Sequence, residues 1–184
     1  ITTYPVEFAE SGSKINYINL RGCRLNNIPK EAFQGKNVHY LVSLDLSYND
    51  LDDLPSTFTA VNMPYFHGME LPYNKFSKFP FEPLDCSGLT VFGIRGQRND
   101  AGERCLSEWP EGIYQHTGLR GFYIGSNNLG MITDKISPLC YYLEVSDNPN
   151  IILDASTVCY EYSIGAYYLI YDKSQDIRGC EIMK

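Results

Sequence analysis

Basic residues, tryptophan and long apolar runs are all scarce in this chain, and each scarcity closes off a class of function. Only 15 Lys and Arg stand against 22 Asp and Glu, for a net charge of −7. They form no run or stripe, and phosphate backbones need clustered cations, so nucleic acid is excluded as a partner. No apolar stretch approaches the ~18–20 residues of a membrane-spanning helix. Six cysteines and three histidines include no Cys-x-x-Cys pair and no Cys/His cluster, which argues against zinc. Nucleophile-elbow, phosphate-loop and His-Glu-x-x-His motifs are missing, and His39, His67 and His116 fall in different contexts. No cofactor is expected. The opening residues, Ile1 to Val6, carry neither an initiating Met nor a secretory-signal pattern, which predicts a processed chain whose signal or lipid anchor has been removed.

What the chain does have is one pattern returned six times, Leu-x-x-Leu-x-Leu-x-x-Asn-x-Leu. The clearest copy runs Leu41, Leu44, Leu46, Asn49, Leu51, then Leu54 and Pro55. Copies open at Ile15, Leu41, Phe66, Leu89, Leu119 and Cys140, so the spacings are 26, 25, 23, 30 and 21 residues. The 30-residue unit carries the polar insertion Gln97 to Arg104, and the last is shortened. Units of this size cannot bury their apolar edge alone and must stack. The 184 residues therefore read as a single domain. Residues 1–14 form an N-terminal cap, 15–153 the six repeats, and 154–184 a degenerate seventh repeat and C-terminal cap.

Period-two alternation at each repeat's start predicts a short strand with its leucines inward. In the second repeat Leu44 and Leu46 point in, while Ser43, Asp45 and Ser47 point out. Stacked strands give a parallel sheet on the concave side. Cys23, Asn49, Asn74, Gln97, Asn127 and Asn148 then form a structural ladder whose amides satisfy backbone groups where the chain turns away. Ile28-Pro29, Leu54-Pro55, Phe79-Pro80 and Trp109-Pro110 follow, the apolar residue filling the core. Trp109 shares that register and is expected in the core. The convex segments are too short for long helices, so 3₁₀ turns and loops are expected there. Tyr167 to Tyr171 reads as one more strand.

Cysteine positions sharpen this picture. Cys23 and Cys140 occupy repeat positions that predict buried thiols. Cys159 and Cys180 sit in the C-terminal segment and are a possible disulfide closing its cap, which would suggest an oxidising compartment. Cys86 and Cys105 flank the fourth strand without an assigned place.

On these motifs residues 15–153 resemble the leucine-rich repeat superfamily. The resemblance implies an α/β solenoid: a right-handed curved horseshoe with a parallel sheet on its concave face. It also implies a binding module, usually for proteins and sometimes for glycans or lipids. The aromatic-rich repeats and the Arg178-Gly179-Cys180 tail are similar to cell-surface leucine-rich repeat proteins of gut-type anaerobic bacteria, which implies an extracellular or cell-surface location.

The outward strand positions define the expected ligand face: Tyr17, Asn19, Arg21, Asp45, Tyr48, Glu70, Tyr73, Arg95, Tyr123, Tyr142 and Glu144. Gly68, Gly93, Gly121 and Gly125 are expected to leave its centre bare between tyrosines and acids. Such a trough suits a peptide or a sugar chain, since Tyr supplies area and a hydroxyl together. The insertion at 97–104 is expected to overhang the rim, as a lid or as a tolerated surface loop. Two other readings compete with ligand binding. One is a structural spacer in a larger surface protein. The other is carbohydrate processing, because Asp45 and Glu70 share a column ~4.8 Å apart and retaining glycosidases hold two carboxyls ~5–5.5 Å apart. An open face with no pocket to raise one pKa argues against catalysis.

Overall fold

Alternation at the head of each repeat becomes a stack of short parallel strands in the computed structural model, which describes residues 2–10, 14–132, 140–154, 168–170, 172 and 176–178. The described strands are β1 (Tyr17–Asn19), β2 (Ser43–Asp45), β3 (Gly68–Glu70), β4 (Val91–Gly93), β5 (Gly121–Tyr123), β6 (Met131–Ile132), β7 (Tyr142–Glu144), β8 (Ile152–Asp154), β9 (Tyr168–Ile170) and β10 (Asp176–Arg178). A parallel seven-stranded sheet runs β1-β2-β3-β4-β5-β7-β9, each strand beside the next repeat's. Its middle register row is Ile18, Leu44, Met69, Phe92, Phe122, Leu143 and Leu169. All of these except Leu169 are buried, because every second side chain points into the stack.

Behind the sheet the chain returns through 3₁₀ turns at Lys30–Phe33, Glu82–Asp85 and Ile113–Gln115. Buried rings fill the space between layers. Phe33 meets Phe58 at 4.8 Å, Phe79 meets Phe92 at 5.1 Å, and Trp109 meets Phe122 at 5.8 Å. Trp109 is buried, in the core as its register requires. Leu84 is only partly buried, and Cys86, two residues later, fills that layer instead. At the first edge Tyr4 is buried against Phe33 and Phe8, supported by the helix Glu7–Glu10.

The convex side also carries a second sheet that the repeat pattern does not predict, ordered β10-β8-β6. Its cause lies in the Leu-Pro step. Repeats one to four place Pro29, Pro55, Pro80 and Pro110 directly after the apolar residue. Proline has no N–H to give a ladder, so no strand pairing forms there. Ile132 and Leu153 occupy the same step with no proline after them, and they pair in register.

The asparagine ladder is built as its chemistry requires. Asn49 Oδ1 accepts the N–H of Leu25 at 2.9 Å, and Nδ2 donates to the carbonyls of Leu20 and Leu46 at 2.9 and 2.8 Å. Asn74 repeats this with Leu51, Leu46 and Leu71. Asn127 and Asn148 do likewise, donating to Ile124 and Val145 of their own repeats. Gln97 keeps the contact to the preceding repeat, donating to Leu71, but one methylene longer it reaches Arg95 within its own repeat. Cys23 departs from the expected buried thiol: it is half-buried and reaches only the Arg21 carbonyl, at 3.8 Å. As the ladder's first member it has no earlier repeat to bridge. Cys140 is buried as expected.

Candidate functional site

Just before each ladder residue the backbone must reverse, and it does so in the left-handed region. Gly22, Tyr48, Tyr73, Gly96, Ser126 and Asp147 hold that position in successive repeats, with φ between 54° and 67°. Glycine adopts this conformation freely, whereas a bulky side chain is strained there by about 1–2 kcal/mol. Tyr48 and Tyr73 nevertheless occupy it side by side, their rings 4.4 Å apart and 46% and 42% exposed. The Arg21 guanidinium lies 4.1 Å from the Tyr48 ring on one side. On the other, Tyr73 lies over Gly96, where a β-carbon would sit 2.6 Å from Tyr73 Cε1. The result is a cation–ring–ring–glycine ladder along one rim of the sheet. Register reading named Arg21, Tyr48 and Tyr73 but not Gly96, and the stack and the strained backbone are visible only in three dimensions.

Across the strands the predicted face separates into groups. Tyr17 and Tyr142 are exposed, as are Asn19 and Arg21. Asp45 is bound locally: Oδ1 accepts the N–H and hydroxyl of Ser47 at 2.9 and 2.5 Å, and Oδ2 accepts from Asn19 at 3.4 Å. Asp45 and Glu70 are register partners on β2 and β3. Burial, then the nearby Asp45 charge, raises the Glu70 carboxyl above its ordinary value, and Arg95 and Arg21 oppose that rise. The expectation that an open face leaves both acids unperturbed is therefore corrected. Two shallow depressions among the described residues, one bordered by Gln34, His39 and Asn62 and the other by Phe81, Asp85 and His116, lie away from this pair.

The expectation of a bare centre is corrected as well. A β-carbon on Gly93 would lie 2.2 Å from Glu70 Oε2, and one on Gly125 would lie 2.2 Å from Glu144 Oε1. The glycines thus make room for acids of neighbouring strands, which fill the trough floor. Glu144, expected to face ligand, is only 2% exposed. Its carboxylate accepts from Arg95 Nε at 2.7 Å, from the Gly125 N–H at 3.2 Å and from the Ser146 hydroxyl. Arg95 also lies 5.6 Å from the Tyr123 ring. Arg95, Tyr123 and Glu144 therefore form an internally satisfied cluster, distinct from the open Arg21–Tyr48–Tyr73 rim.

The insertion is a closed hairpin. Arg98 bridges Arg104, and Asn99 Oδ1 takes the N–H groups of Ala101 and Glu103. Arg98 Nη1 donates to the Ser126 carbonyl at 2.7 Å, Arg104 Nη1 to the Asn127 carbonyl at 3.0 Å, and Arg104 Nη2 to Asp147 at 2.5 Å. Lys75 joins Asp100 and Asp50 at 2.6 and 3.0 Å. Leu106, fully buried, resumes the position held by Leu25 and Leu51. The sequence left a lid and a tolerated surface loop both open; the loop is tied to the turns of three repeats and covers their carbonyls.

Among the described residues Cys23, Cys86, Cys105 and Cys140 are free thiols. Burial pushes Cys86 up to about 12 and Cys140 to about 11, so neither supplies a thiolate near neutrality. The expected Cys159–Cys180 pair lies outside the described residues. No group of metal-holding side chains and no membrane-crossing helix occurs among the described residues.

Comparison with known proteins adds kinship to this geometry. The family described as Leucine Rich Repeat matches residues 40–60. A crystal structure of a leucine-rich repeat protein from Bacteroides thetaiotaomicron is 40% identical over 99% of this chain, with a TM-score of 0.93. One from Bacteroides eggerthii is 45% identical over 98%, with a TM-score of 0.90. The chain spans 22% and 30% of those two proteins. The APL1 leucine-rich repeat domain, 18% identical with a TM-score of 0.59 over 94% of this chain and 38% of its own, shares the fold. No curated protein sequence matches.

Proposed function

Because the chain belongs to the leucine-rich repeat superfamily, whose fold is typically a non-enzymatic interaction scaffold, we propose that it captures a peptide segment or glycan chain along the Arg21–Tyr48–Tyr73 rim of its concave face. The observation that carries this reading is the Tyr48–Tyr73 pair. Two large rings sit half-exposed in a backbone conformation that costs stability and that glycine fills in two sister repeats. Strain of this kind clusters at functional sites, and exposed, rigid tyrosines beside an arginine are the common anchors of binding surfaces. Tyr17 and Asn19 extend the surface toward the first repeat. The setting we propose is a bacterial cell surface, on the resemblance of the aromatic-rich repeats.

The test is a capture assay of the folded domain against a glycan panel and surface-protein extracts, run beside Tyr48→Gly/Tyr73→Gly. Glycine relieves the left-handed strain while the lost stack costs about as much, so stability should shift by no more than about 1 kcal/mol. Capture present in the parent and lost in the variant supports the reading. A variant that loses more than about 2 kcal/mol would make the pair a structural element. Absence of capture in both panels would favour a spacer role.

A further inference from the structure

The opposite rim carries a second cation–ring–ring stack. The residue immediately before each repeat's first core position is Lys14, Tyr40, Tyr65 and Gly88 in repeats one to four. Lys14 Nζ lies 4.4 Å from the Tyr40 ring, and Tyr40 and Tyr65 are near-parallel at 5° and 6.2 Å. Cation, ring and ring thus follow one another as in Arg21–Tyr48–Tyr73, about eight residues back along each repeat, while a β-carbon on Gly88 would meet the Phe66 carbonyl and His67, not the Tyr65 ring.

This ladder is open to solvent and borders a depression. Tyr65 is 52% exposed and nearby Val61 85%, well beyond what a core-facing pair would show. His39 meets both rings edge-on at 5.4 and 5.9 Å, and His67 Nδ1 is held by the Tyr65 carbonyl at 2.5 Å. The depression beside Tyr40, about 350 Å³, is bordered by Gln34, Lys36, His39, Val61 and Asn62. Its border holds a lysine, a histidine and two amides but no carboxylate, in a chain whose net charge is −7.

We propose that the Lys14–Tyr40–Tyr65 rim is a second docking surface, separate from the concave tyrosine pair, and that its occupant is an acidic peptide segment of a partner protein. Charge complementarity selects the occupant. Lys14 and Lys36 attract carboxylates, the Gln34 amide orients a peptide backbone, and the exposed rings and Val61 supply apolar area. A basic segment would be repelled by Lys14 and Lys36 at this rim, while finding Asp45 and Glu70 on the concave face.

A backbone-amide NMR titration of the whole chain tests this with the hexapeptide Glu-Tyr-Glu-Tyr-Glu-Tyr, its Gln-Tyr and Lys-Tyr counterparts, and a galacturonic acid oligomer. The acidic peptide should shift His39, Tyr40, Asn62 and Tyr65 selectively. Lys14→Glu/Lys36→Glu should weaken it about tenfold or more, and Tyr48→Gly/Tyr73→Gly should leave it unchanged. An equal response to the Lys-Tyr peptide would overturn the proposal. So would shifts confined to the concave rim, or a response to the sugar acid in place of the peptide. Because the two rims are read by different amides and different variants, failure of one leaves the other standing.

Discussion

The carboxylate of Glu144 occupies the space that a β-carbon on Gly125 would need: the distance to Oε1 would be 2.2 Å. Gly125 is thus a receptacle for a buried acid, and its N–H also donates to that acid. Gly125→Ala should drive Glu144 from its notch, break the Arg95 contact and cost about 1–3 kcal/mol. Arg95→Ala, which leaves the charge buried without its cation, should cost at least as much, about 3 kcal/mol. Urea unfolding of both variants checks the ranking. An unchanged midpoint for Gly125→Ala would show that Glu144 moves out to water freely.

The ladder predicts a loss of a different kind. Asn74→Ala leaves the buried Leu51 N–H without its acceptor, while the Leu46 and Leu71 carbonyls keep the amides of Asn49 and Gln97. The cost should be about 1–3 kcal/mol for the orphaned N–H. Asn74→Asp is sharper, because it keeps the acceptor and loses the donor. If Asp proves as stable as Asn, the carbonyl contacts carry no weight.

Much of this was legible from the chain. Leu44, Asn49 and Trp109 fall where a local period places them, since one repeat's pattern is written within a single turn of the solenoid. The second sheet was not read from the sequence: the missing proline after Ile132 and Leu153 matters only once neighbouring turns are stacked. Glu144 and the glycine notches were not legible. Sequence register assigns a residue to a face, but whether a carboxylate leans into a neighbour's empty Cβ space depends on rotamer and partner across strands. The Lys14–Tyr40–Tyr65 column was available by the same column reading, one residue before each repeat's first leucine.

Arg104 offers a test of what the insertion does. It joins the carbonyls of Asn127 and Asp147 and the Asp147 carboxylate, and that contact holds Asp147 below the ordinary carboxylate range. Arg104→Ala should loosen the hairpin and cost about 1–2 kcal/mol. Capture at the Tyr48–Tyr73 rim should be unchanged, because the hairpin is tied over the turns. Faster amide exchange at 98–104 with intact capture is the expected result. Lost capture would restore the loop to a recognition role.

Glu70 supplies the pH dependence. Burial and then Asp45 raise its carboxyl above the ordinary 4.5, so the folded chain holds that proton more tightly than the unfolded chain does. A raised acid favours folding most below the unfolded value. Its contribution then falls as pH climbs from the unfolded value to the raised folded one. Glu70→Gln cannot ionise and lacks this dependence. Relative to the parent, the variant should gain stability between about pH 4 and about pH 7, with the gain complete above the raised value. Urea midpoints of both proteins at the two pH values measure the difference directly. If the two midpoints move in parallel, the Glu70 carboxyl is solvated like any surface acid, and the account of Gly93 as its sheltering notch fails with it.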